Sequence, residues 1–151
     1  MSSPDAVVVL RPRKTMIVAW VCAVVVFALF VVVAVVLRTA ETGVFFRLAD
    51  QIAMAAIGAL IAGGVLLLAR PRVRADAEGI EVRNVLVTRT LPWDVVERVT
   101  FPDGASWARL ELIGDDYLPV LAIQAVDGQR AVEGIRRVRA LHAAAARPRR
   151  P

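Results

Sequence analysis

Lysine, cysteine, histidine and tyrosine each occur once in this chain, and each scarcity excludes something. Cys22 stands alone inside an apolar run, so no intramolecular disulfide can form and redox chemistry has no resolving thiol. It is expected to act as a small apolar filler. His142 falls on the last predicted helix among alanines, and a single imidazole builds neither a metal cluster nor a dyad with a cysteine buried in an apolar run. No G-x-S-x-G, H-E-x-x-H, Walker-type or G-x-G-x-x-G sequence occurs, which removes the common hydrolase, metalloprotease and nucleotide signatures. Asp115-Asp116 sits in a turn signal without basic or metal-binding neighbours and is expected to be solvated. Together these predict a non-enzymatic protein with no catalytic residue, no metal site and no cofactor.

Apolar runs are what the chain has in abundance. Met16 to Leu37 contains 22 residues without a charge, reaching about 33 Å as a helix against a hydrocarbon core of about 30 Å. Ile52 to Ala69 contains 18, about 27 Å, and can borrow Leu48 to Gln51 if the helix is longer or tilted. Arg11, Arg13 and Lys14 precede the first run, and Arg70, Arg72 and Arg74 follow the second. The positive-inside bias then places both termini in the cytoplasm. A cleaved signal peptide is the competing reading, but its apolar stretch is about 7–15 residues and ends at an A-x-A-like site. This run is longer and ends Ala34-Val35-Val36-Leu37-Arg38. Neither span centre carries an acidic, basic or histidine side chain, the usual mark of an ion or proton path.

The net charge of +5 invites a nucleic-acid reading, and its distribution argues against one. Residues 71–146 hold 10 arginines against 11 acids, a net of −1. The excess lies beside the apolar runs and in the tail, at Arg147, Arg149 and Arg150. Four segments follow: 1–15, an N-terminal cytoplasmic segment; 16–69, a transmembrane hairpin (16–37 and about 48–69); 71–142, a cytoplasmic domain; and 143–151, a basic tail. Small residues at Ala55, Ala59 and Gly63, with Gly58 and Ala62 on a neighbouring line, permit close helix packing within the hairpin or a homodimer. Asp50 and Arg47 are expected to pair at the start of the second helix.

After Arg70-Pro71 the helical texture gives way to alternation. Val73 to Ala75, Gly79 to Arg83, Val87 to Leu91, Val95 to Phe101, Ser106 to Leu112 and Tyr117 to Gln124 read as about six strands. The turns between them are marked at Asn84 to Leu86, Pro102-Asp103-Gly104 and Gly114-Asp115-Asp116. Pro119 suggests an edge strand. Asp127 can cap a helix from Gly128 to about Ala146, with Ala131, Val132, Ile135, Val138 and Leu141 as its apolar stripe. Strands followed by one helix imply a small β structure that the helix covers.

The blocks Arg74-Ala75-Asp76, Glu78-Gly79-Ile80, Val82-Arg83-Asn84, Pro92-Trp93-Asp94-Val95-Val96, Val99-Thr100-Phe101, Trp107-Ala108-Arg109-Leu110 and Leu121-Ala122-Ile123-Gln124 resemble the bacterial pleckstrin-homology (PH)-like domain of the low-molecular-weight protein antigen 6 family. The resemblance covers about Arg72 to Leu141. It implies an α+β chain with a membrane segment: a two-helix transmembrane hairpin, then a PH-like β-barrel or sandwich with a C-terminal helix. The implied role is a cytoplasmic interaction or scaffolding module without an established reaction. Arg72, Arg74, Arg83 and Arg89, interleaved with Asp76, Glu78 and Glu81, do not make the basic cluster by which eukaryotic PH domains hold inositol phosphates.

The expected partners are the lipid bilayer and a protein, with no nucleic acid. Arg11, Arg13, Lys14, Arg70, Arg72, Arg74, Arg147, Arg149 and Arg150 are candidates for the membrane surface. Trp107 and Trp93 are candidates for partner contact, although a tryptophan beside a proline is more often core, with its indole N–H bonded. The alternative is an accessory subunit of a membrane enzyme or transporter that acts through its hairpin.

Overall fold

A computed structural model describes residues 7–39 and 47–146. The chain divides into two compact units, Thr15–Ala69 and a second formed by Met1–Lys14 with Arg70–Pro151. In the first unit, α1 (Arg13–Thr39) and α2 (Leu48–Leu66, continued by a 3-10 turn at Leu67–Ala69) are long and apolar enough to cross a membrane. The inward residues are small: Ala19, Ala23 and Ala34 on α1, Gly58 and Ala62 on α2. A Cβ added at Gly58 would lie 2.6 Å from Phe30 Cβ, so the two backbones approach this closely only because position 58 has no side chain. Ala59 and Gly63 are exposed; the seam therefore follows the Gly58/Ala62 line rather than the Ala55/Ala59/Gly63 stripe. Cys22 is also exposed on α1. At the start of α2 the Asp50 carboxylate accepts the Arg47 backbone N–H at 2.9 Å, so the expected side-chain pair is a helix-start hydrogen bond.

The second unit is a sandwich of two antiparallel sheets. One has the order β1 (Val8–Leu10), β2 (Arg72–Ala75), β3 (Gly79–Arg83), β4 (Thr88–Pro92); the other has β5 (Val96–Thr100), β6 (Trp107–Leu112), β7 (Asp116–Gln124). Alternation supplies the inner faces. Val73, Ile80 and Val82 of the first sheet and Val99, Leu110 and Val120 of the second are buried in one core. Helix α3 (Gln129–Ala145) adds Ala131, Ile135 and Val138, while Val132 of the expected stripe is exposed. The Asp76 carboxylate ties the β2–β3 turn by accepting the N–H groups of Glu78 and Gly79 at 3.0 and 3.1 Å.

Two local expectations are corrected. Strand β1 comes from the segment before the apolar run and pairs antiparallel with β2, Val8 opposite Ala75 and Leu10 opposite Val73. Three residues are too few to show a period. The N-cap of α3 is Gly128, whose φ of 57° favours glycine. Asp127 instead accepts the Lys14 backbone N–H at 3.2 Å.

Candidate interaction surfaces

A two-sheet sandwich has four sheet edges, and an unpaired edge is where a partner strand can add. Three are restricted. On β5, Arg139 Nε donates to the Val99 carbonyl at 2.8 Å, and His142 Nε2 lies 2.7 Å from the Val96 carbonyl; α3 thus occupies that edge. On β7, the Asn84 side-chain amide donates to the Pro119 carbonyl at 2.8 Å and accepts the Leu121 N–H at 3.2 Å. It takes the two groups that an incoming strand would need, and Pro119 has no N–H to offer. Pro119 does mark an edge strand, with the turn residue Asn84 closing it. Strand β1 has only three residues.

Among the described residues, strand β4 is the open edge. Asn84 N–H donates to Val87 O, so alternation makes Val82–Arg89 and Ile80–Leu91 the hydrogen-bonded pairs of the β3–β4 register. The backbone groups of Thr88 and Thr90 then face outward, as does the Pro92 carbonyl.

The outer face of β6 and β7 gathers a different set of groups. Ala108 and Leu110 point into the core, so Trp107, Arg109 and Glu111 share the opposite face. Glu111 Oε1 accepts from Thr100 Oγ1 at 3.0 Å and pairs with Arg109 Nη2 at 3.5 Å. The Arg109 guanidinium lies 5.6 Å from the centre of the Tyr117 ring, within cation–π range. Trp107 is 44% exposed and Tyr117 58%. A shallow depression beside Tyr117 is lined by Leu86, Val87, Arg89 and Pro119, with a volume of about 450 Å³, and Leu86 is 78% exposed. Trp, Tyr and Arg beside exposed aliphatics are the residue types that dominate binding energy at protein interfaces. Tyr117, Arg109 and Leu86 were not singled out in the sequence. Only the β6–β7 register brings the first two together.

Trp93, the other candidate for partner contact, takes the core role that the sequence favours for it. It lies in the 3-10 turn Trp93–Val95 between the two sheets, is 6% exposed, and donates its indole N–H to the Asp76 carbonyl at 2.9 Å. Its ring centre is 5.5 Å from that of His142. A side chain that closes the core has no face left for a partner.

Among the cations proposed for the membrane surface, Arg11, Arg13, Lys14, Arg70 and Arg74 are exposed. Arg72 is half-buried and paired with Glu81 at 3.1 Å across the β2–β3 ladder. Arg147, Arg149 and Arg150 lie outside the described residues.

A family model described as "Bacterial PH domain" matches residues 70–141, which span β2 to α3. The chain is 46% identical over 134 residues to the uncharacterized protein Rv1417 of Mycobacterium tuberculosis, covering 89% of this chain and 87% of the relative. The same figures hold for the uncharacterized protein Mb1452 of Mycobacterium bovis. No solved structure matches. The two-sheet sandwich closed by a C-terminal helix and the matched stretch agree: the chain belongs to the bacterial PH domain family.

Proposed function

We propose that this protein is a membrane-anchored, non-enzymatic interaction module. Helices α1 and α2 cross the cytoplasmic membrane, both termini are cytoplasmic, and the PH domain binds a protein partner on the outer face of β6 and β7. The observation that carries this reading is the exposed Trp107, Arg109 and Tyr117 surface beside Leu86. A fold whose core already holds Trp93 has no structural need to leave a second tryptophan and its one tyrosine in solvent. PH domains generally serve as interaction modules rather than catalysts, which supports the same role. Within the family, the Pro92-Trp93-Asp94-Val95-Val96 block supports placement with the low-molecular-weight protein antigen 6 group.

Photo-crosslinking residues placed at 107 and 117 of the full chain, in native membranes, are expected to capture one common protein, whereas a probe at exposed Glu78, in the β2–β3 turn of the other sheet, is not. Substituting Arg109→Ala should reduce that capture severalfold by removing a central contact, a loss of about 1–2 kcal/mol. Equal capture from all three positions would end the assignment of this face, and capture of a second copy of the chain would replace the partner with a homodimer. The topology has its own test: a C-terminal reporter active only in the periplasm should stay silent, and a strong signal would sink the two-span arrangement.

A further inference from the structure

A cationic groove of about 580 Å³ runs between the end of β1 and α3. Its rim carries Arg11 and Arg13 from one side and Arg130 and Arg137 from the other. Arg130 and Arg137 are seven residues apart, two turns of α3, and so share a face. Gly134 lies between them, and a Cβ there would stand 3.1 Å from Leu10 Cδ1; glycine lets strand and helix approach closely. Among the described residues the ion pairs are Arg72–Glu81 and Arg109–Glu111, so none of the four groove arginines has a carboxylate partner. Two acids line the groove, Glu133 and Asp127, and Asp127 already accepts the Lys14 N–H. The floor is apolar, from Ala122, Ile123 and Ala131.

We infer that this groove holds the headgroup of an anionic phospholipid. Planar guanidinium groups match phosphate oxygens, and the apolar floor suits the glycerol and first methylenes of a lipid better than a free anion. Arg13 stands three residues before Met16, where the apolar run begins. At helical rise this is about 4.5 Å, which places Arg13 at headgroup depth if α1 spans the bilayer; the inference rests on that reading. Arg11 and Arg13 also serve as topology determinants. Arg130 and Arg137 have no such duty, and their presence in the same groove is what separates a lipid site from a simple basic flank.

The test uses the full chain in detergent micelles, titrated with dihexanoyl phosphatidylglycerol and, in parallel, with dihexanoyl phosphatidylcholine and inorganic phosphate, with retained ligand read by native mass spectrometry. Phosphatidylglycerol should bind saturably and about tenfold more tightly than the other two. Arg130→Glu with Arg137→Glu should weaken it about tenfold or more, while Arg136→Glu, one residue away and off the groove, changes it less than about twofold. The pair Arg130→Gln with Arg137→Gln repeats the measurement should charge reversal impair folding, which the thermal transition reports. An equal loss in Arg136→Glu means diffuse attraction and overturns the site. Phosphate binding as well as the lipid overturns the lipid, and an unaffected double variant overturns the groove. Alkaline carbonate extraction of the wild-type chain from membranes tests the spanning reading separately: release would refute the spans, while the micelle titration still judges the groove.

Discussion

Trp93→Ala is expected to cost about 3–5 kcal/mol and to leave the domain largely unfolded at 37 °C. The side chain joins three parts of the unit. It sits in the turn where the chain passes from the first sheet to the second, bonds the Asp76 carbonyl of the β2–β3 turn, and packs against His142 of α3. Truncation opens a cavity at that junction and strips a half-buried carbonyl of its donor. A sandwich of this size has a small core and so a stability toward the lower end of the typical range of about 5–15 kcal/mol, which a loss of that order nearly exhausts. Trp93→Phe keeps a smaller aromatic ring in the junction and loses the N–H bond to Asp76, a bond whose loss alone costs about 1–3 kcal/mol. Chemical denaturation of the full chain in detergent, followed by proteolysis of the domain, reads both. An alanine variant within about 1 kcal/mol of wild type would show that the junction repacks around the void.

Gly79→Val is expected to break the β3–β4 ladder. The added Cβ collides with the Leu91 carbonyl oxygen and stands 3.2 Å from the Pro92 Cα, so no rotamer change can relieve it. Overpacking typically costs about 1–3 kcal/mol, and a backbone obstacle places this variant at the upper end or beyond. Amide exchange should show early loss of protection from Ile80 to Val82, with β6 and β7 following only when the domain opens globally. Exchange unchanged from wild type would mean that β4 can slide outward at little cost. The position is glycine because the neighbouring strand passes against its α-carbon, not because of an unusual φ.

The strands around Gly79–Arg83 and Trp107–Leu112, the helix stripe at Ala131, Ile135 and Val138, and the two apolar helices were all legible because burial imposes a period on the sequence. Trp93 was readable as core for a related reason: a large ring with one donor is cheap to bury only if the donor is bonded, and Asp76 provides the acceptor. Other features had no local signal. Three residues of β1 cannot display alternation, and nothing near them announces a partner more than sixty positions away. Asn84 reads as an ordinary turn residue, yet its amide closes the β7 edge at Pro119 and Leu121. Asp127 reads as a cap for the helix that follows it, and serves the Lys14 N–H instead.

From its sequence alone this chain had to contain two apolar helices, a small β-rich domain ending in one helix, and a charge excess concentrated outside that domain. Each follows from hydrophobic burial, which acts through runs and periods that one segment can carry by itself. Tertiary structure alone decided which residues meet. It set Trp107, Arg109 and Tyr117 on one face, restricted three sheet edges while leaving β4 open among the described residues, and brought Arg11 and Arg13 into the same groove as the arginines of α3. Such juxtapositions depend on strand register and on contacts between distant segments, and these arise only when the whole domain closes on its core.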